Sequence, residues 1–439
     1  MENKKVLVVG AAKSGLAAVR FLNKYGYDVY LTDAKILPNR QQLIASGVKV
    51  YDGGHPDILR EIDFAFVVKN PGIRYTMPLI AHFVEKGTKI YNEIEVGLSH
   101  QKQHRYVAIT GTNGKTTTTT MCQELLRCLN PKNVACGNIG YPVCDALLDV
   151  KDDEKLDLAI EIGAFQLLGV ESFKPHVAVI TNLSEDHIDF FGTLDKYYSV
   201  KTKIYQLQDK NDYFLRNIDD PAVMQYCQNV PSQVVDFSLY RTDCDVYRKD
   251  NKIFYHDVEL FDLKDFQLVG IHNVQNVMIA STIGYLMGVS PADIHRVMAQ
   301  FKGVAHRIEY VRELNGVKYY NDSKGTNVDS TIVALKAFDQ PVHLLVGGYD
   351  KKVSFDDLKP YLKNVKCMYA FGETKHLFEK IFDKVLIFDN QAQAIEAAHK
   401  NAVSGDVVLL SPVCASWDQY PNFEVRGDEF KEIVNKLEI

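Results

Sequence analysis

A lysine and a threonine set just after a glycine turn can handle a triphosphate, and this chain has them at Gly111-Thr112-Asn113-Gly114-Lys115-Thr116-Thr117. Gly111 and Gly114 lack a Cβ, so backbone N–H groups there can close on phosphate oxygens. Lys115 adds a full positive charge and the Thr116 hydroxyl can ligate magnesium, while a following helix N-terminus adds unpaired N–H groups. Ile109 stands where the general nucleotide-binding loop has its first glycine, so this is a shorter variant that by itself fixes no substrate. Two further groups have chemical potential. Glu161 closes the apolar run 156–160, and Thr181-Asn182-Leu183-Ser184-Glu185-Asp186-His187 follows the apolar run 177–180. The carboxyl ends of strands are where α/β sheets gather ligands.

The elements around these residues read as strand, loop and helix. The run 106–109 is short and apolar, and Met121, Leu125, Leu126 and Leu129 recur at helical spacing behind the loop. The five threonines 116–120 would be a poor choice in mid-helix. At the N-terminus, 6–9 predicts a strand, Gly10 to Gly15 a glycine turn and Leu16, Val19, Phe21 and Leu22 an amphipathic helix, with a second strand ending at Asp33. This is a Rossmann-like opening in which Ala12 replaces the central glycine of the dinucleotide fingerprint. A third strand, 64–68, closes on the turn Asn70-Pro71-Gly72. The polar run 99–105 reads as a linker, 212–266 as an antiparallel excursion, and His272-Asn273 with Asn276 as a helix start. A third α/β unit opens near Gly303, with polar groups just past the strands at 319–327, 347–352 and 411–412. The expectation is an α/β protein of three domains: residues 1–97 Rossmann-like, 98–302 a central P-loop mononucleotide-binding domain with a parallel sheet, and 303–439 Rossmann-like again.

Composition narrows the function classes. At 439 residues and 46% hydrophobic content the chain is too long for one ordinary core. A formal net charge of -6 argues against a dedicated nucleic-acid binder and leaves cationic sites local. The eight cysteines show no metal-finger spacing, which points to a reduced, cytoplasmic chain without disulfides. No apolar run reaches the length of a membrane span.

Several motifs in one order carry a resemblance that covers nearly the whole chain. Gly111 to Thr116, Gly137-Asn138-Ile139-Gly140, Glu161, Asp186-His187, Lys201, His272-Asn273 with Asn276, His306-Arg307, and Asn321-Asp322-Ser323-Lys324 with Thr326-Asn327 together resemble the Mur ligase family. The stretch Leu410-Ser411-Pro412-Val413-Cys414-Ala415-Ser416, with Asp418, Gln419, Phe423, Arg426 and Gly427, looks like the branch that adds D-glutamate to UDP-N-acetylmuramoyl-L-alanine. The resemblance implies an ATP-dependent amide ligase of peptidoglycan-precursor synthesis that works through an acyl phosphate. It implies two magnesium ions, no nucleic-acid or membrane partner, and a monomer. It puts the UDP substrate on Lys13, Ser14, Asp33, Asn70, Gly72 and Asn138, and ATP on Gly111, Thr112, Asn113, Gly114, Lys115, Thr116, Thr117, Asn276, Arg307 and Asp322. D-glutamate would meet Thr326, Lys351 or Lys352, Ser416 and the backbone at Phe423. The metal ligands would be Thr116, Glu161, His187 and Lys201, with Lys201 carbamylated and Lys115, His187 and Lys201 catalytic.

The chain departs from the family pattern at Gly163-Ala164, where a serine pair is usual, at Phe190-Phe191, where a more polar pair is usual, and at Ala34 and Lys35 beside the uridine position. A folylpolyglutamate synthetase-like ligase would share the middle domain and the amide chemistry but gives no reason for a uridine-binding first domain. A non-enzymatic nucleotide sensor would explain two nucleotide sites but not the third domain.

Overall fold

The structure, a computed structural model, describes residues 4–151, 153–351 and 353–438. Among these residues the chain builds three sheets. The first has the strand order Lys49–Asp52, Asp28–Asp33, Lys5–Val9, Phe66–Lys69, Lys89–Tyr91, with every pairing parallel. Its central strand buries Val6, Leu7, Val8 and Val9 on both faces, as a strand covered on both sides must. The helix Lys13–Lys24 packs Ala17, Ala18, Phe21 and Leu22 onto it.

The second sheet runs Val258–Asp262, Lys252–Tyr255, Val246–Lys249, Gln233–Ser238, Tyr213–Asn217, Val177–Ile180, Arg105–Thr110, Asp157–Glu161, Ala135–Gly137. Here the expectation for 212–266 needs correction. Tyr213–Asn217 and Gln233–Ser238 extend the parallel sheet, and only the Val246–Lys249, Lys252–Tyr255 and Val258–Asp262 meander is antiparallel. Tyr213–Asn217 and Gln233–Ser238 both lie inside the sheet with a neighbour on each side, yet each mixes buried and partly exposed positions, so the alternation does not tell the two courses apart. The third sheet runs Glu309–Leu314, Val317–Asn321, Val407–Leu410, Val342–Gly347, Val365–Phe371, Val385–Ile387, with one antiparallel edge pair on an otherwise parallel sheet.

The chain divides into two compact units, 1–265 with 275–298, and 266–274 with 299–439. The first holds two of the sheets and the second holds the third. Within the first unit the polar run 99–105 is no exposed linker. Helix Glu93–His100 continues into it, and Gln101 and His104 are buried. The Gln101 amide donates to the Leu147 carbonyl at 3.0 Å, and His104 bonds Gln101 at 2.8 Å and accepts from the Leu156 amide at 3.1 Å. A polar run can be interior when each group finds its partner.

The helix behind the glycine loop, Lys115–Leu126, runs through all five threonines. Thr118 donates to the Asn276 side chain at 3.2 Å and Thr120 to the Thr116 carbonyl at 2.8 Å, so tertiary contacts and back-bonding override weak propensity. Leu129 lies beyond that helix and is exposed, so it takes no part in the apolar stripe assigned to it. Among the described residues no helix is long and apolar enough to cross a membrane.

Candidate functional site

Gly111 and Gly114 take φ values of 141° and 82°, in the left-handed region that favours glycine. A Cβ on Gly111 would lie 2.0 Å from the Thr181 hydroxyl, and one on Gly114 would lie 2.5 Å from the Asn276 side-chain oxygen. Neither neighbour is idle. Thr181 donates to the Asn113 carbonyl at 2.6 Å, and Asn182 takes the Asn113 amide at 2.9 Å. Thr112 exchanges hydrogen bonds with Ser184 through its hydroxyl, both 3.1 Å long. The segment after strand Val177–Ile180 therefore braces the loop residue by residue, and Asn276 supports it from helix Ile271–Met287 through Thr118. The Lys115 ammonium folds back onto the Gly111 and Thr112 carbonyls at 2.9 and 2.8 Å.

Lys201, at the end of helix Leu194–Lys201, is 1% exposed and donates to the same Gly111 carbonyl at 2.8 Å. The Tyr197 ring centroid lies 4.5 Å from its nitrogen. Burial, and then the Lys115 charge, push its pKa well below the ordinary lysine range, with Asp186 opposing. Two lysines thus converge on one carbonyl of the phosphate loop.

Glu161 pairs in register with Ile109, on the strand next to the loop. It is 2% exposed, and its Oε1 accepts from the Asn138 amide at 2.9 Å while Oε2 has no protein partner. The Asn138 backbone N–H also bonds the Glu161 carbonyl at 2.8 Å. A buried carboxylate oxygen left open is costly unless something meets it. His187 begins the short helix Ile188–Phe191 with φ 51° and stands 3.4 Å from Asp186. Its ring lies against Phe165 at 4.8 Å, and Phe165 also packs on Phe190 and Phe191. The departures at 190–191 therefore build an aromatic cluster beside His187. Among the described residues no group of three His, Cys, Asp or Glu side chains forms a metal cluster.

At the first sheet, the Asn70 amide reaches the Ser14 hydroxyl at 3.2 Å and its Oδ1 takes the Gly72 amide at 3.2 Å, so three of the UDP-substrate candidates meet. Asp33 accepts the Ala11 and Lys35 amides at 2.7 and 2.8 Å. It shapes the glycine turn, each of its two carboxylate oxygens accepting one of these bonds. The Lys13 nitrogen lies 4.0 Å from where a Cβ at Gly140 would sit, which brings it beside the Asn138 turn. Lys69 is a buried lysine beside these candidates that the sequence reading missed. Buried behind the Asn70-Pro71-Gly72 turn, it donates to the carbonyls of Asn70, Pro71 and Ile73, and burial lowers its pKa to about 8. The only signal was a lysine ending an otherwise apolar strand.

Arg307, Asp322, Thr326, Lys351, Ser416 and Phe423 all belong to the second unit. Asp322 is buried, accepts from Ser411 at 2.7 Å and from the Ile308 amide at 3.2 Å, and is pushed up to about 7 by burial, against the Ser411 bond and the Arg307 charge. Ile308 and Val413 hold φ of 44° and 65°, rare for β-branched residues, at the two loops that flank Asp322. Lys351 donates to the Thr326 carbonyl at 3.0 Å. Lys352, its alternative in the sequence reading, lies outside the described residues. Ser416 is buried and its carbonyl takes the Gln419 and Tyr420 amides, while Phe423 opens helix Phe423–Lys436 behind an Asn422 cap. Arg426, which the sequence offered only as part of a motif, is the hub of this unit. It is fully buried, donates to the Ser323 hydroxyl, the Ser323 carbonyl and the Cys414 carbonyl at 3.0, 2.9 and 3.1 Å, and so ties two loops to helix Phe423–Lys436.

Comparison with known proteins gives three domain matches in order. Residues 4–92 match the Mur ligase MurD-like N-terminal domain, 109–284 the Mur ligase middle domain, and 306–414 the Mur ligase glutamate ligase domain. The chain is 41% identical over 446 residues to the UDP-N-acetylmuramoylalanine--D-glutamate ligase of Geobacillus kaustophilus, covering 99% of this chain and 98% of that protein. It is likewise 41% identical over 445 residues to the protein of that name from Bacillus cereus, with the same coverage. Among solved structures, the UDP-N-acetylmuramate-alanine ligase of Thermotoga maritima superposes with a TM-score of 0.61 at 17% identity, over 98% of this chain and 99% of that one. A MurF of Acinetobacter baumannii gives 0.61 at 17% identity, over 98% and 93%.

Proposed function

The chain belongs to the Mur ligase family, and from that membership we propose that it joins D-glutamate to UDP-N-acetylmuramoyl-L-alanine at the expense of ATP. The three domains 1–97, 98–302 and 303–439 carry the UDP substrate, ATP and the amino acid respectively. The product is a peptidoglycan precursor, so the activity serves cell-wall growth, cell shape and division, and we place it in the cytoplasm.

The observation that carries the reading is the pair of buried groups at the phosphate-loop edge of one sheet, the open Glu161 oxygen and Lys201. The substrate carboxylate takes the γ-phosphoryl group of ATP, ADP leaves, and the amine of D-glutamate then displaces phosphate from the acyl phosphate. Lys115 leaves its own loop carbonyls to offset charge on the transferring group, with the N–H groups at the start of helix Lys115–Leu126 as backbone donors to the phosphate oxygens. Asn138 holds Glu161 in place, and His187 stands at the substrate side.

Hard oxygen donors suit magnesium, and the open Glu161 oxygen and the Thr116 hydroxyl would hold such ions, with the His187 ring nitrogen as the further ligand that the family likeness implies. When bound, magnesium supplies charge neutralisation of the β- and γ-phosphates. We further propose that Lys201 is carbamylated. Burial favours its neutral amine, which adds carbon dioxide with loss of one proton and gives a carboxylate-like group in place of a cation that Lys115 would repel. This chemistry is tested with substrate labelled by oxygen-18 in its carboxylate. One label per turnover appears in the released phosphate if an acyl phosphate forms, and none appears if the carboxylate is activated at another centre.

A further inference from the structure

Trp417 is the sole tryptophan of the chain, and it is 66% exposed although it adjoins the buried Ser416. A lone exposed aromatic needs no explanation, but this one is part of a patch. Its ring meets Tyr349, itself exposed, at 5.7 Å and 55°. The two come from different loops, one after strand Val407–Leu410 and one after strand Val342–Gly347, and the Tyr349 amide bonds the Ala415 carbonyl at 2.8 Å to hold the loops in register. A Cβ on Gly348 would come within 2.2 Å of that same carbonyl, so glycine is what allows the approach. The Lys351 ammonium lies 5.9 Å from the Trp417 ring centroid and donates to Thr326 on its other side.

We propose that Trp417, backed by Tyr349, is a positioning residue that fixes the Lys351 ammonium and screens it from water, so that Lys351 pairs strongly with a carboxylate of the incoming amino acid. This rests on reading these loops as the D-glutamate pocket. An exposed lysine gains little from pairing, because its stem must be ordered and salt screens the charge. An indole face beside the ammonium attracts the cation, orders the four-carbon stem before the ligand arrives and displaces water from one side of the pair. A chain with a small side chain at this position would keep the lysine but lose the preorganisation.

The test uses the full-length protein and its single tryptophan as reporter. With UDP-N-acetylmuramoyl-L-alanine and ADP present, so that no turnover occurs, D-glutamate changes Trp417 emission in a saturable way, and Lys351→Ala abolishes the change. In steady state Trp417→Ala raises the KM for D-glutamate about tenfold, leaves kcat and the KM for ATP within about twofold, and Trp417→Phe restores most of the loss. The salt response separates positioning from general damage. Between about 50 and 300 mM potassium chloride the KM for D-glutamate climbs more steeply in Trp417→Ala than in the wild type. An unchanged KM and salt slope in Trp417→Ala, while the wild type uses D-glutamate, overturns the role of Trp417 and leaves the pocket reading intact. If D-glutamate supports no turnover in the wild type, the pocket reading falls and this proposal with it.

Discussion

Replacing Asn138 by alanine removes one amide and leaves the rest of the turn in place, because the backbone N–H of residue 138 keeps its bond to the Glu161 carbonyl. What is lost is the 2.9 Å hydrogen bond to Glu161 Oε1. Oε2 already lacks a partner, so the variant leaves both oxygens of a 2% exposed carboxylate unheld by protein. A hydrogen bond to a charged group contributes about 1.5–3 kcal/mol, which at 1.4 kcal/mol per decade is about 10- to 150-fold in an equilibrium constant. The measured effect of deleting a partner that orients a metal ligand is of the same size, about 10- to 100-fold in affinity. ADP release followed against free magnesium, with ATP and the UDP substrate saturating, should therefore show a half-saturation point raised about 10- to 100-fold, with much of the plateau recovered. Asn70→Ala is the control, since it should raise the KM for the UDP substrate and leave the magnesium curve where it was. A folded Asn138→Ala protein whose magnesium midpoint stays within about twofold of wild type refutes the assignment of Glu161 as a metal ligand.

Lys115→Ala should abolish turnover while the fold survives, because its ammonium bonds the Gly111 and Thr112 carbonyls of a loop that Thr181, Asn182 and Ser184 also brace, and a near-normal rate would remove the phosphate-cradle assignment. Lys201→Ala should lose most activity and regain part of it with added short-chain carboxylic acids, which restore a carboxylate in the vacated space; full activity without them would end the carbamate proposal. Glu93→Gln addresses stability. Glu93 is buried at the start of helix Glu93–His100, accepts the Cys144 amide, and is pushed from 4.5 up to about 8 by burial. The folded protein holds this proton more tightly than the unfolded chain. Its contribution is therefore whole below about pH 4.5 and is lost as pH rises through about 8. The gap corresponds to ~5 kcal/mol, roughly half of it between pH 6 and pH 9. Thermal melts across that range should fall more steeply for wild type than for Glu93→Gln, and parallel slopes would count against a protonated Glu93.

The three sheets and the phosphate loop were legible because their signals are local. Val6 to Val9 is apolar on both faces of a strand, and Gly111 and Gly114 mark φ values that few other residues adopt. What escaped was decided by partners distant in sequence. Gln101 and His104 look like linker until Leu147, Tyr25 and Leu156 satisfy them. Lys69 looks like a strand end until three carbonyls surround it, and Arg426 like a motif letter until loops about 10 and about 100 residues away converge on it. The parallel course of Tyr213–Asn217 and Gln233–Ser238 could not be read from alternation, since both strands mix buried and partly exposed positions although each is flanked by a strand on either side. Asn138 was read from family likeness as a substrate contact, and the structure adds its hold on Glu161.

Enantiomer-resolved ADP release reaches the proposed activity as a whole. With ATP, magnesium and UDP-N-acetylmuramoyl-L-alanine present, D-glutamate should support release of ADP, and L-glutamate and L-lysine should not, because the L-enantiomer can satisfy both carboxylate contacts only by turning its amine away from the acyl phosphate. Equal turnover with L-glutamate would contradict the assignment of the amino-acid site, and no release with either enantiomer would contradict the proposed ligase reaction.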